Sequence, residues 1–488
     1  MSTAAPQPTA SEAPGTASGT QPGAGRPAPD QASVMRQILS GNGTVTVLAI
    51  VLSLLISGLL IVVTDEDVQE TAGYFFGRPT DMLAAAWSAF SGAFLALFRG
   101  AIFNYEASNF EGMIRPLTET MTVATPLIII SLGIAIAFKA GLFNIGGQGQ
   151  FIFGAMFATW FGVSMDLPFG VHLLVVLVMG VLGGMLWGSV VGLLKAYTGA
   201  HEVILTIMLN YVALNLLAYL LNTDVLRREG TTNPVSEFLP QQARFPLLFG
   251  EGFRLHWGFV LALAATAFAW WLLQRSTVGF RLRAVGANPA AARTAGISVK
   301  GAYITAMAVS GGLAGLAGMA HVSGTEGSLN TSVAGSFGFD AITVALLGRS
   351  NPVGVLFAGL LFGALRAGGV TMQTQTGVPI DIVLVVQSFI VLFIAAPPLV
   401  RTIFRLPAPG AAKARRTADP VTQPAVAGAA VAGASGEAAV PSVETQEAAV
   451  AAESAADGVE DPDPAPTAAE PAPAAGADTQ TSEKGETR

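Results

Sequence analysis

Between Phe138 and Ile152 the chain reads F-K-A-G-L-F-N-I-G-G-Q-G-Q-F-I, a run of glycines and amides set between two strongly apolar stretches. What surrounds such a polar, flexible insert decides the fold. The 488 residues are 52% hydrophobic and only 12% charged, and the mean hydropathy is +0.57 although both ends are visibly polar. That composition describes a polytopic membrane protein. Irregular backbone is tolerated at membrane depth only when it is buried in protein or lines a wet cavity. The insert is therefore read as a point where the chain re-enters the bilayer after Lys139, with a Gly-broken start and its amides facing inward.

Working outward, ten apolar segments lie near 44–63, 121–138, 148–165, 170–194, 203–221, 257–274, 302–320, 338–348, 353–369 and 380–399. With about 20 residues making a full span, the fold class is an all-α polytopic membrane protein of about ten transmembrane helices. The segment 338–348 is too short to cross alone; it is either a half-helix or paired with the Gly-rich turn after it. Residues 1–33 and 407–488 are rich in Ala, Pro and small or acidic residues with little apolar bulk, so both are expected to be disordered tails. The membrane domain then runs over 34–406.

Lys and Arg orient the spans. The connection 275–301 carries Arg275, Arg281, Arg283, Arg293 and Lys300 with no acidic residue, which marks it as cytoplasmic. Both tails, Lys139, Lys195, Arg401 and Arg405 fall on that side, and the connections 64–120 and 222–256 on the other. Within 64–120 the apolar stretch Met82–Phe98 is read as an interfacial helix, since an eleventh crossing would move the N-terminal tail outside. Gly180, Gly184, Gly188 and Gly192 recur every four residues, as do Gly359 and Gly363. Both are faces that let helices approach closely, and they form a weak two-half repeat.

Several function classes are excluded. Without cysteine there is no disulfide framework, thiolate metal site or Cys nucleophile. The four His residues are scattered, so no metal site is expected. The net charge of −7 arises mostly in the C-terminal tail, and no basic, aromatic-rich patch suggests nucleic acid. None of Lys139, Lys195, Lys300, Lys413 or Lys484 is followed by Ser or Thr, so the phosphate loop of an ATPase is missing. Intramembrane carboxylates are scarce; Glu202 and Asp340 are the plausible ones. Glu202, Thr206 and Asn210, spaced by four, make a polar stripe about 12 Å long, either a helix–helix seam or the wall of a solute path. In the basic connection Asn288-Pro289 starts a short helix over Ala290–Ala295 that Gly296 can end, with small residues suited to docking in a partner's groove.

Four stretches carry a resemblance: F-K-A-G-L-F-N-I-G-G-Q-G-Q (138–150), L-L-K-A-Y-T-G-A-H-E-V-I-L-T-I-M-L-N-Y (193–211), R-A-V-G-A-N-P-A-A-A-R-T-A-G-I (283–297) and F-D-A-I-T-V-A-L-L-G-R-S-N-P (339–352). Together they resemble the permease subunits of bacterial ABC importers, in the nucleoside-importer branch of the branched-chain amino acid and simple-sugar permease family. Similar proteins commonly carry Glu where Gln148 stands, so a role for Gln148 must work through hydrogen bonds. The resemblance implies a transport subunit of the bacterial cell membrane with both termini cytoplasmic and no cofactor of its own. Its implied partners are a second permease, cytosolic ATPase subunits that bind ATP and magnesium, and an extracellular solute-binding lipoprotein. The coupling helix that inserts into the ATPase would be formed by Arg283, Gly286, Asn288, Pro289, Ala290, Ala291, Ala292 and Gly296. Candidate path residues are Asn144, Gln148, Gln150, Glu202, Thr206, Asn210 and Asp340, mostly neutral hydrogen-bonding groups that suit a nucleoside. The alternatives are a simple-sugar importer of the same architecture and an ion-coupled carrier using Glu202 or Asp340.

Overall fold

Helix bounds follow from the apolar runs and from the residues that cap or break them. The computed structural model describes residues 42–405, and both tails read from the sequence lie outside the described residues. The helices are α1 (Asn42–Thr64), α2 (Glu66–Ala72), α3 (Pro79–Ala101), α4 (Phe110–Lys139), α5 (Gly147–Ser164), α6 (Val171–Thr198), α7 (Glu202–Leu221), α8 (Gly258–Arg275), α9 (Thr277–Ala287), α10 (Pro289–Thr294), α11 (Val299–His321), α12 (Phe337–Leu347), α13 (Pro352–Thr376), α14 (Asp381–Ala395) and α15 (Pro397–Ile403). Among the described residues the only β-type pairings are two isolated bridges, Val235 with Asn330 and Leu247 with His256.

Capping is local and chemical. α4 starts where Asn109 Oδ1 accepts the Gly112 N–H at 2.9 Å, and α13 where Asn351 Oδ1 accepts the Val353 N–H at 3.1 Å with Pro352 in the first position. The segment near 380–399, expected as one span, is two helices. Position 397 is proline, which has no N–H to continue the ladder and pushes Ala396 out of helical conformation, to φ −113° and ψ 67°.

Among the described residues eight helices are long and apolar enough to cross a membrane: α1, α3, α4, α6, α7, α8, α11 with the π-turn that extends it to Glu326, and α13. All ten apolar segments of the sequence are helical, and α3 is an addition to them. α3 has the length and composition of a span, yet it meets α1 at Gly58, α4 at Thr120 and α13 at Gly368, Thr371 and Thr376. Those are the ends of α1, α4 and α13 remote from the basic connection, so α3 stays at the opposite edge of the bundle.

Two glycine seams organise the interior. Gly180, Gly184, Gly188 and Gly192 of α6 lie in turn against Met319, Gly311, Met307 and Ile304 of α11, while Gly359 and Gly363 of α13 lie against Ile128 and Ala124 of α4. A methyl group at any of these glycines would overlap the facing chain, so both pairs approach nearly backbone to backbone. The numbering rises on one helix as it falls on the other, so both pairs are antiparallel. The seams are also reciprocal: the glycine helix that follows α4 packs on α11, and the one that follows α11 packs on α4. α4 and α11 are the most enclosed of the eight candidate spans, as the hub of such an exchange must be.

The insert and the short helix occupy equivalent places in the two halves. α5 begins inside the bundle at Gly147, beside Ile130 and Ile134 of α4 and Gly338 of α12. α12, only 11 residues long, begins there too and ends at the turn 348–351, where Arg349 and Ser350 hold φ values of 53° and 51°. Left-handed backbone is costly for residues with a Cβ, so this tight reversal is enforced by the packing of Gly348 on Gly354 and Val355. Replacing Gly184 by Leu should force the central seam apart, at a cost of at least about 1–3 kcal/mol. We expect a lower thermal midpoint and loss of the monodisperse peak in detergent size-exclusion; unchanged elution and melting would show that the seam is not close-packed.

Candidate functional site

The insert is held by side chains from two other helices, α7 and α11. Gly141, at φ 76°, turns the chain out of α4, and in the turn that follows Leu142, Asn144 and Gly146 are buried while Phe143 is exposed. Asn144 accepts the Gly146 N–H at 2.9 Å and donates to Ser310 Oγ at 2.8 Å and Gln150 Oε1 at 3.0 Å. Asn210 accepts the Gly149 N–H at 2.8 Å and donates to the Ile145 carbonyl at 3.0 Å. Thr206 is buried against Gly146 with its hydroxyl on the Glu202 carbonyl, and Glu202 pairs with Lys195 at 2.8 Å. The 202–206–210 stripe is thus the seam that grips the start of α5. Asn144, Gln150, Thr206 and Asn210 are buried with partners inside the chain, and Asn144 and Asn210 supply acceptors to N–H groups at the start of α5, which begins inside the bundle.

Gln148 differs. Its Oε1 accepts the Gly338 N–H at 2.8 Å and its Nε2 donates to the Gly335 carbonyl at 2.7 Å, so one amide clasps the beginning of α12. A carboxylate could make only the first of these bonds. Asp340 lies one turn further along α12. Its Oδ2 accepts from Ser336 Oγ at 2.8 Å and lies 3.4 Å from Arg366 Nη1 of α13. Arg366 also donates to Ser336 Oγ at 2.9 Å and covers the Phe337 ring at 4.6 Å.

Above this junction a cavity of about 790 Å³ opens on the face opposite the basic connection, its polar wall supplied by Arg115, Glu119, Arg254, His321, Glu326 and Arg366. Arg254 pairs with Glu119 at 3.3 Å, and His321 Nε2 lies 3.5 Å from Glu326. The sequence reading assigned none of these six to the site. A scan of apolar segments for carboxylates passes over Arg366, although a lone arginine in such a run is the same signal of function. The others lie outside the apolar segments read from the sequence, Arg115 and Glu119 in the first turns of α4, His321 at the end of α11 and Arg254 and Glu326 beyond helix ends, and the tertiary fold brings them together.

Residues 117–395 match the family described as branched-chain amino acid transport system / permease component. The chain belongs to that family. It is 39% identical to the guanosine ABC transporter permease protein NupP of Bacillus subtilis over 325 residues, 66% of this chain and 90% of that one. It is 36% identical to the nucleoside ABC transporter permease protein NupB of Lactococcus lactis over 292 residues, 58% of this chain and 80% of that one. A glucose ABC transporter permease protein of Haloferax volcanii is 35% identical over 293 residues, 57% and 75% of the two chains. No solved structure matches the permease significantly. The chain is thus a permease subunit, a transport component embedded in the membrane as a multi-pass protein.

The basic connection of the permease has the form read from its sequence. Asn288 Oδ1 accepts the Ala291 N–H at 3.1 Å, Pro289 opens α10, and Gly296 leaves it at φ 79°. Only Ala292 of α10 is buried. α9 carries this exposed helix, and its Gly286 lies directly on the backbone of Lys139–Gly141, the first residues of the insert.

On the far face His256 is 1% exposed, stacked on Phe245, with Nδ1 accepting the Gly258 N–H at 3.1 Å and Nε2 3.3 Å from Thr325 Oγ1. Burial, with lesser repulsion from His321 and Arg254, pushes its pKa from the ordinary 6.5 down to about 4. The unfolded chain therefore takes up this proton first as pH falls. Stability from the neutral ring is complete above about 6.5 and is lost towards 4, by up to about 3 kcal/mol. The melting temperature of the solubilised permease should drop between pH 7.5 and 5, and His256→Gln should flatten that dependence. Gln148→Leu removes both clasp bonds and should cost about 1–3 kcal/mol, read as a lower midpoint and reduced transport, with Gln148→Glu falling between it and wild type.

Proposed function

We propose that this permease is the membrane subunit of an ATP-driven importer of nucleosides, acting beside a second permease and energised by ATPase subunits that carry ATP and magnesium. The observation that carries the proposal is the mounting of α10. An exposed, small-residue helix stands on α9, and α9 rests through Gly286 on the turn that leads to Gln148. Motion of α10 has a short, packed route to the interior: Gly286, the 139–146 turn, the Gln148 clasp and the start of α12. ATP binding in the partner would drive that motion and switch the path between its two openings.

The positive-inside bias assigns the basic face to the cytoplasm. The start of α1 lies on the same side, since Arg349 reaches Thr46 Oγ1 at 3.5 Å, and Arg401 and Arg405 near the end of α15 are assigned there with it. The cavity on the other face would then receive solute from an extracellular binding lipoprotein, in a bacterial cell membrane. The names of the guanosine and nucleoside permeases support the substrate class, and so does a junction made largely of hydrogen-bonding groups. The glucose permease relative favours simple sugars as the second reading. Ion coupling is disfavoured, because Glu202 and Asp340 are already paired with Lys195 and Arg366.

Ala291→Glu places a bulky charge on the exposed face of α10. The variant should insert in the membrane normally, lose co-purification of the ATPase and fall to background nucleoside uptake in proteoliposomes. Retained ATPase association would overturn the coupling role; ATP-driven uptake of ribose but of no nucleoside would overturn the substrate class.

A further inference from the structure

We propose that Arg366 is the group of this permease that reads the solute, and that its pair with Asp340 is a closed gate between two chambers; the substrate part rests on the nucleoside reading above. The first chamber is the far-face cavity of about 790 Å³, in whose wall Arg366 stands. The second is a cleft of about 280 Å³ between α12, α13 and α14, where Asp340, Thr343, Gln387 and Ser388 meet Phe362 and Leu384. Arg366 faces the first and Asp340 the second, so the 3.4 Å between Nη1 and Oδ2 is the partition.

An arginine inside an apolar segment is costly unless its donors are matched. Here the guanidinium is anchored on one side, with Nη2 on Ser336 Oγ at 2.9 Å and the Phe337 ring beneath it at 4.6 Å. Nη1 is buried and makes no hydrogen bond; Asp340 attracts it by charge alone. The gate is therefore incomplete, and a ligand that supplies acceptors to the guanidinium edge would complete it. Two adjacent acceptors on one planar edge match an arginine fork best, and O6 with N7 of a 6-oxopurine is such a pair. Adenine places an amino donor in the O6 position, pyrimidines lack N7, and a sugar has no planar edge. The structure thus assigns 6-oxopurine nucleosides, guanosine and inosine, to this site. When Nη1 turns to the ligand, Asp340 keeps only Ser336, and the second chamber opens to the first.

The test uses the purified permease–ATPase complex, with radiolabelled guanosine, inosine and adenosine in equilibrium binding, and the full importer in proteoliposomes for uptake. Arg366→Lys retains the charge and loses the fork. Guanosine and inosine binding and uptake should weaken by about tenfold or more, while adenosine changes by less than about threefold. The double variant D340N/R366Q leaves no unpaired charge; it should fold, and should handle guanosine and adenosine alike. Wild-type guanosine binding in Arg366→Lys, or an equal loss for all three nucleosides, would overturn the assignment while leaving nucleoside import intact. A wild-type complex that takes ribose but no nucleoside would overturn both.

Discussion

Two helices of this permease begin inside the bundle, and each starts with backbone N–H groups that have no carbonyl of their own helix to meet. In water such groups are solvated cheaply; inside a membrane protein each must find an acceptor. Asn210 and Asn144 answer for the start of α5, and Gln148, itself on α5, answers for the start of α12. The first interrupted helix thereby secures the start of the second. The polar chemistry of the site is a consequence of that capping, since Asp340 and Ser336 are positioned by the helix that Gln148 secures.

This junction needs a rigid frame, and the reciprocal glycine seams supply it. α6 on α11 and α13 on α4 tie each half of the chain to the leading helix of the other, so neither half can shift without moving both hubs. Close backbone contact leaves few small adjustments available, which favours discrete rearrangement over gradual deformation. Gly286 on Gly141 extends the same kind of contact to the basic face. There the exposed α10 is the natural point for a force to enter.

The charges are distributed with the same logic. Lys195 with Glu202 and Arg366 with Asp340 are paired within the helical region, whereas Arg254 with Glu119 and His321 with Glu326 ring the cavity on the far face. The interior pairs leave no isolated charge in a poorly solvated region, where it would cost several kcal/mol. Each interior pair has one buried atom without a hydrogen bond, Glu202 Oε2 and Arg366 Nη1, and of the two it is Arg366 that stands in the wall of the far-face cavity, where a ligand can reach its pair.

Periodicity, composition and capping residues determined a good deal: the apolar helices, the short one at 338–348, the glycine faces and the Asn288-Pro289 start of α10, while four motif stretches carried the resemblance to the family. Each of these depends on the preferences of a few neighbouring residues, which are written locally. Only the tertiary structure decided what each polar side chain faces. The 202–206–210 stripe suited a seam or a path equally by spacing, and it became a seam because the insert folds onto it. Gln148 and Gly338 are 190 residues apart, and Arg366 meets Ser336 across 30, so no local pattern announces either contact. α3 has the composition of a span, and its contacts alone confine it to one edge. Local sequence sets conformation and burial, whereas the partner of a buried hydrogen-bonding group is set by packing between distant helices.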